Sequence, residues 1–391
     1  MPFTAALSQH PLPTHAVGEV VGQVLDRLGE GPDLAVLFVG ATHTGAMEDI
    51  AAAVRDALRP RALVGCSAST VVGGRREVEG GPAVALWAGR LGMGRPLRLT
   101  ADVAAEPMGF RGFPPAAEVP DDAAAVLLLA DPFTFPADRF LDHLRDRVGV
   151  DLAVVGGLAS AARGAGGNRL VRDGTVYADG AVGVVLGGVD LETVVSQGCR
   201  PVGDPMVVTS SEQQIIFELA GRPALERLQQ LVAGLDPADL QRAQQGLHLG
   251  RVIDERKPTF GRGDFLIRNV LVADRETGAV AVGDRIEVGA TVQFQVRDAS
   301  SADEDLRQLL GPCAADGALV FTCNGRGTNL FDVPDHDAEV VSGALREAPL
   351  AGMSCAGEIG PVGGQNFLHG FTASVVLFRD RQPPPGTGPG G

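Results

Sequence analysis

Cysteine is scarce in this 391-residue chain: Cys66, Cys199, Cys313, Cys323 and Cys355 are an odd set with no Cys-x-x-Cys spacing. Such a set signals neither a disulfide framework nor a zinc site, and reads as reduced thiols. Positive charge is also short, with 33 Lys and Arg against 48 Asp and Glu, a formal net charge of −15, and no basic cluster. That excludes a surface built to track phosphates and removes nucleic acid as an expected partner. Long apolar runs are missing too. The longest, Ala123 to Ala130, falls far below the roughly 20 residues that span a bilayer. Met1 to Leu12 lacks the basic start and apolar centre of a signal peptide. The expected location is the cytoplasm, without membrane insertion. What is present is core-forming material: 45% of residues are hydrophobic, enough for a large core, and the length suggests two or three domains.

One plan occurs three times along the chain. The first unit runs LAVLFVG (Leu34 to Gly40), MEDIAAAVRDAL (Met47 to Leu58), LVGCSASTVVGG (Leu63 to Gly74) and AVALWAG (Ala83 to Gly89). The second has AVLLLAD from Ala125, PADRFLDHLRDRV from Pro136, AVVGGLASAARGAGGN from Ala153 and AVGVVLGG from Ala181. The third has ALVFTCNGRG from Ala318, DHDAEVVSGAL from Asp335, LAGMSCAGEIGPVGG from Leu350 and FTASVVLF from Phe371. Each reads as strand, helix, strand, glycine-rich loop, strand. Ile50, Val54, Ala57 and Leu58 share one helix face, as do Phe140, Leu141, Leu144 and Val148. The strands carry apolar residues on consecutive positions, as strands covered on both faces do.

The expected class is therefore α/β, with α+β as the alternative: mixed buried β-sheets, helices outside. Residues 1–32 form an N-terminal segment with a helix, 33–212 a first domain of two units, and 213–380 a second domain. Within that second domain, Phe265 to Asp298 alternates apolar and polar residues around Gly-containing turns and is expected to be an antiparallel meander. Residues 381–391, PPPGTGPGG at the end, offer nothing to bury and are expected to be a disordered tail.

The order LAVLFVG, LVGCSASTVVGG, AVVGGLASAARG, FLIRNVLVADRETGAVAVGDRIEVG, FTCNGRG and CAGEIGPVGG resembles the FIST family, named from F-box and intracellular signal transduction proteins, with FIST N and FIST C domains. The resemblance covers about Asp33 to Phe378. It implies a sensory protein for a small polar ligand, amino acids among the candidates, that signals through a separate protein. A thiol-dependent hydrolase or transferase using Cys323 or Cys355 is the first alternative, and a protein-interaction scaffold the second.

Three loops carry the candidate chemistry. LVGCSASTVVGG, with Cys66, Ser67, Ser69 and Thr70, reads best as a tight turn whose glycines supply positive φ. GGLASAARGAGG lacks the GK[ST] ending of a phosphate loop; it reads as a flexible cover, with Arg163 and Asn168 as ligand contacts. The third unit is richest. Cys323, Asn324 and Arg326 follow one strand, and Cys355, Gly357 and Glu358 follow the next, at strand ends where ligands commonly lie in α/β sheets. Arg326 can clamp a carboxylate and Glu358 can accept an amine; an Arg–Glu structural pair is the competing reading. His336 and His369 are the bases a thiol mechanism requires. Asp335, His336 and Asp337 resemble metal ligands but are explained by helix capping. No motif asks for a cofactor or metal.

Overall fold

The computed structural model describes residues 2–148 and 152–380; the expected tail at 381–391 lies outside the described residues. The chain opens with β1 (Phe3–Ser8) and α1 (Pro13–Leu28). The first unit follows as β2 (Leu34–Gly40), α2 (Met47–Leu58), β3 (Ala62–Ala68), β4 (Thr70–Gly73), β5 (Arg76–Glu79) and β6 (Val84–Gly89). After β7 (Met93–Asp102) and β8 (Gly109–Arg111) comes the second: β9 (Ala123–Ala130), α3 (Ala137–Val148), β10 (Ala153–Leu158), β11 (Leu170–Arg172), β12 (Thr175–Tyr177) and β13 (Ala181–Gly187). The connecting region holds β14 (Asp190–Gln197), β15 (Cys199–Pro201), β16 (Met206–Glu212), β17 (Ile215–Leu219), β18 (Arg222–Pro223), α4 (Ala224–Gly234) and α5 (Pro237–Gln245). It continues with β19 (Leu247–Val252), β20 (Phe265–Ala273), β21 (Val280–Val282), β22 (Thr291–Arg297) and α6 (Ala299–Leu310). The third unit is β23 (Gly317–Cys323), α7 (His336–Ala344), β24 (Leu350–Cys355), β25 (Glu358–Val362), β26 (Gln365–His369) and β27 (Thr372–Arg379).

In each unit the first two strands pair in parallel across a helical crossover and the last strand returns antiparallel. No unit completes its own sheet. The strand orders are β1-β6-β2-β3-β11-β12, then β8-β7-β13-β9-β10-β25-β26, then β14-β27-β23-β24-β4-β5. The hairpin of the first unit thus belongs to the third sheet, that of the second to the first sheet, and that of the third to the second sheet. LVGCSASTVVGG is not the tight turn the sequence suggests. It is the end of β3 and all of β4, and Ser69 is the point where the chain crosses from one sheet to another. Small residues are needed there because the joints touch: Ser69 N–H donates to Ser160 Oγ at 3.0 Å, and Ser160 Oγ donates to the Ser354 carbonyl.

The glycines at matching positions of the three second strands also act differently from expectation. Gly65, Gly156 and Gly352 each lie within a strand, and a Cβ there would stand 2.4, 2.0 and 1.9 Å from the carbonyl oxygens of Leu37, Leu128 and Val320. Close approach between parallel strands is their common reason; of the three only Gly156, at φ +135°, has a left-handed backbone.

Because the strands are covered on both faces, alternate residues enter different cores. Val36, Phe38, Leu127, Leu129, Leu319, Phe321 and Met353 meet in one central cluster fed by all three sheets. Phe38 meets Phe321 edge-on with centroids 6.0 Å apart. The alternate positions face outward onto helices: Leu37 and Val39 onto Ile50, Val54 and Leu58, Val126 and Leu128 onto Phe140 and Leu144, and Val320 onto Leu306 and Val341. Each such buried side chain contributes about 1.5–3 kcal/mol.

The meander expected over Phe265 to Asp298 is corrected. β20 and β21 pair antiparallel as a meander requires, but β21 then lies between β20 and β17, and β22 pairs with β19 and β16 instead of β21. The pairings close a ring, β22-β16-β17-β21-β20-β19, around Val208, Ile216, Val282, Val292 and Phe294. Closure removes the unpaired edges that a simple meander leaves.

If strand approach fixes these glycines, Gly156→Ala will cost about 3 kcal/mol. Gly18→Ala, on an open face of α1 with nothing within 4 Å, will gain about 0.5–1 kcal/mol. Urea midpoints of both variants check this; equal shifts would remove the close-approach explanation.

Candidate functional site

β23 ends at Cys323, and the following loop sends its side chains in opposite directions. Asn324 is exposed; its backbone N–H donates to the Cys355 carbonyl at 2.9 Å and its carbonyl accepts from Asn329 Nδ2 at 3.2 Å. Arg326 turns inward. Its Nε and Nη2 donate to the two carboxylate oxygens of Asp337 at 2.7 and 2.8 Å, both side chains 1% exposed, and its guanidinium lies 5.3 Å over the Phe331 ring. The bidentate fork is therefore filled by a carboxylate of this chain. Burial pushes the Asp337 carboxyl up, but the guanidinium overrides burial and holds it well below the usual range. Removing one partner of such a pair costs about 3–5 kcal/mol.

The acidic start of α7 does not cap the helix as the sequence suggests. Asp335 sits at its N-terminus with φ 62° and turns its carboxylate to Glu77 N–H at 2.7 Å. The cap comes from the exchanged hairpin: Glu77 Oε1 accepts Ala338 N–H at 2.7 Å, while Glu79 accepts Thr328 N–H at 3.0 Å. Asp337 is committed to Arg326. Burial, reinforced by Asp337, raises the Glu77 carboxyl to about 7.

Glu358 stands fully buried at the base of β25. Its Oε2 accepts from Thr372 N–H at 3.1 Å and from Thr372 Oγ1 at 2.8 Å, while Oε1 has no protein partner. Arg326 Nη1 likewise has none. Burial raises Glu358 to about 8, so near neutral pH it is largely a neutral acid rather than the fixed anion an amine anchor requires. The thiols are inert by the same physics: burial pushes Cys323 up to about 12 and Cys355 well above its ordinary value. No hydrogen bond among the described residues joins either thiol to a histidine. His336 bonds Asp337 and Asp303 and stacks on Phe331, and His369 bonds the Gly360 carbonyl at 2.9 Å.

The remaining sequence candidates serve the joints. Gly357 packs where a Cβ would meet Leu368 and Leu158 at 3.0 and 3.1 Å. Asn168 is buried, donating to Asp131 Oδ1 and accepting from Ala162 N–H, both at 2.9 Å, so its amide pins the glycine-rich loop. Arg163 is exposed on that loop. The structure thus gathers Cys323, Arg326, Cys355 and Glu358 at one enclosed seam and leaves Asn324 and Arg163 outside it.

An open cleft of about 1100 Å³ lies elsewhere, and none of the eight candidates lines it. Its walls are α3 (Asp138, Arg139, Asp142, Arg145), strands β19 and β20 of the barrel with the loop after β21 (Arg251, Arg268, Asp284, Arg285) and β26 (Gln365, Asn366, Phe367, Leu368). The third unit's hairpin forms a wall because Asn366 grips Val154 N–H and the Leu152 carbonyl at 2.8 Å each. Arg268 ties it to the barrel, bonding Asp284 at 2.8 Å and the Leu368 carbonyl at 3.2 Å. These arginines are dispersed in sequence and no motif marks them; their convergence follows from the hairpin exchange.

Residues 33–222 match the FIST N domain and residues 224–361 the FIST C domain. The chain belongs to the FIST family. It is 44% identical over 394 residues to an uncharacterized protein of Mycobacterium tuberculosis H37Rv, covering 97% of this chain and all of that one. It is also 44% identical over 387 residues to an uncharacterized protein of Mycobacterium bovis, covering 93% and 95%. FIST domains are sensory domains of signal transduction. In this FIST protein the boundary between the two matches falls inside the barrel, since β16 and β17 precede it and β19 to β22 follow. The cleft is shared as well, with α3 from the FIST N match and β19, β20 and the loop after β21 from the FIST C match. No helix among the described residues is long and apolar enough to cross a membrane.

A raised carboxyl binds its proton in the folded state at pH values where the unfolded chain has lost it. Glu358 and Glu77 therefore favour folding most below about pH 4.5 and lose that contribution as pH rises through about 8 and about 7. Glu358→Gln will raise the melting temperature relative to the parent more at pH 8.5 than at pH 5.5. A difference that does not change with pH would show that Glu358 titrates normally.

Proposed function

We propose that this chain is a small-ligand-binding sensory protein of the cytoplasm, that its ligand occupies the cleft between α3, the barrel and the β25–β26 hairpin, and that its output passes to a separate protein. The observation that carries this reading is the cleft itself. It is concave, of a volume suited to a small molecule, lined mainly by polar and charged groups, and built where the FIST N and FIST C matches meet. The family resemblance suggests amino acids or related polar metabolites. A ligand there touches the hairpin whose base carries Glu358, so occupancy bears directly on a joint between units.

The enclosed seam of Arg326 and Glu358 supports a structural pairing more than a binding role, because Asp337 already fills the guanidinium fork. The thiol mechanism is disfavoured by the upward shifts of Cys323 and Cys355, which keep both protonated.

Thermal-shift screening of the full chain against amino acids, nucleotides and organic acids tests the reading, with calorimetric titration of each hit. A ligand at 100 times its Kd stabilises by about 2.7 kcal/mol. Gly283 lines the cleft and a Cβ there meets nothing closer than 3.7 Å, so Gly283→Trp will abolish the shift while leaving the unliganded melt near that of the parent. Hits that bind the variant as tightly as the parent would place the ligand outside the cleft.

A further inference from the structure

We infer that the cleft takes a ligand with an anionic head group, a carboxylate or phosphate, and that Arg251 on the barrel face is its anchor. The inference rests on the cleft being the ligand site. Five arginines and five carboxylates line it, and internal pairing takes up only some of them. Arg145 pairs with Asp142 at 3.0 Å and Arg268 with Asp284 at 2.8 Å, while Glu255 accepts Thr291 N–H at 2.7 Å. Left without an ion pair are the guanidiniums of Arg139, Arg251 and Arg285 and the carboxylates of Asp138, Glu255 and Glu287. In a chain of net charge −15, a lining in which five arginines balance five carboxylates is richer in cations than the rest of the molecule.

Arg251 stands apart from the other two. Arg139 and Arg285 are exposed, where water satisfies a guanidinium at little cost; Arg251 is half-buried, and its Nε is sealed from solvent without a partner. A buried guanidinium N–H left unmade costs more than a neutral one, and a carboxylate or phosphate is the group that a guanidinium edge takes bidentately. Register places it at the end of β19, opposite Leu266 and Val292, on the side of the strand that carries Leu249 into the ring, and there it lines the cleft. Arg268 is no rival, since Asp284 and the carbonyls of Ile267 and Leu368 take its donors. Gln213, Gln214 and Gln365 add amides around the same space, suited to a polar body behind the anionic head.

The test titrates the full chain calorimetrically at low salt with succinate, citrate and inorganic phosphate, and with succinamide as the uncharged counterpart of succinate. At least one anion will bind and succinamide will not; Arg251→Gln will weaken the anion tenfold or more, and Arg285→Gln, at the exposed rim, by a smaller factor of about three. Thermal melts of each variant confirm folding, and the Arg285 variant keeps the comparison readable if Arg251→Gln melts early. Equal affinity of the anion for Arg251→Gln and the parent overturns the anchor. Binding of none of the three anions, while a neutral hit is lost in Gly283→Trp, overturns the anionic class but leaves the cleft as the ligand site. Hits indifferent to Gly283→Trp overturn both.

Discussion

Three hairpins given away hold this molecule together. Each unit keeps three strands and a covering helix in its own sheet and sends a two-stranded hairpin to another sheet, so every sheet ends on strands supplied by another unit. The pairings β3–β11, β10–β25 and β24–β4 join residues far apart in sequence, and the entropy of closing such loops is offset only when all three sheets meet at the central apolar cluster. A unit alone exposes the second strand of its sheet as an unpaired edge, a state that proteins avoid. The constraint explains the small residues at the joints: Ser69, Ser160 and Ser354 meet there, and bulkier side chains would hold the sheets apart.

The chemistry of the chain is arranged by the same exchange. Glu77 and Glu79 arrive from the first unit and organise the Arg326 loop and the start of α7 in the third. Asn366 and Leu368 arrive from the third unit and, with α3 of the second and the barrel, wall the cleft. A ligand in that cleft touches one exchanged hairpin, and that hairpin carries Glu358 at its base. This gives the proposed sensory role a physical route: a preference of the ligand for one hairpin position is the differential binding that shifts a conformational equilibrium.

Much of the local structure was legible in the sequence. Ile50, Val54 and Leu58, and Phe140, Leu141 and Leu144, are buried on the faces their spacing marked, and consecutive apolar residues in LAVLFVG and AVLLLA became strands covered on both sides. Destinations were not legible. The three glycine-rich stretches have similar local composition, and which sheet receives each hairpin is decided by contacts with residues distant in the chain. The same limit hid the site. Arg326 and Asp337 lie 11 positions apart and both were noticed, but only the fold turns them toward each other; Arg251 lines a cleft whose other walls come from separate segments of the chain. Gly65 reads in the sequence as a turn former, whereas its requirement, the Leu37 carbonyl oxygen at 2.4 Å from any Cβ, appears only once the parallel register is known.

Native-state hydrogen exchange of the amides that join the units tests the interlock most directly. The account predicts that the paired amides of β4 with β24, β11 with β3 and β25 with β10 open through one shared transition, with the same free energy and denaturant dependence as the central strands β2, β9 and β23. Opening of any one of these junctions at a markedly lower free energy, while the central strands of all three sheets stay protected, would contradict it.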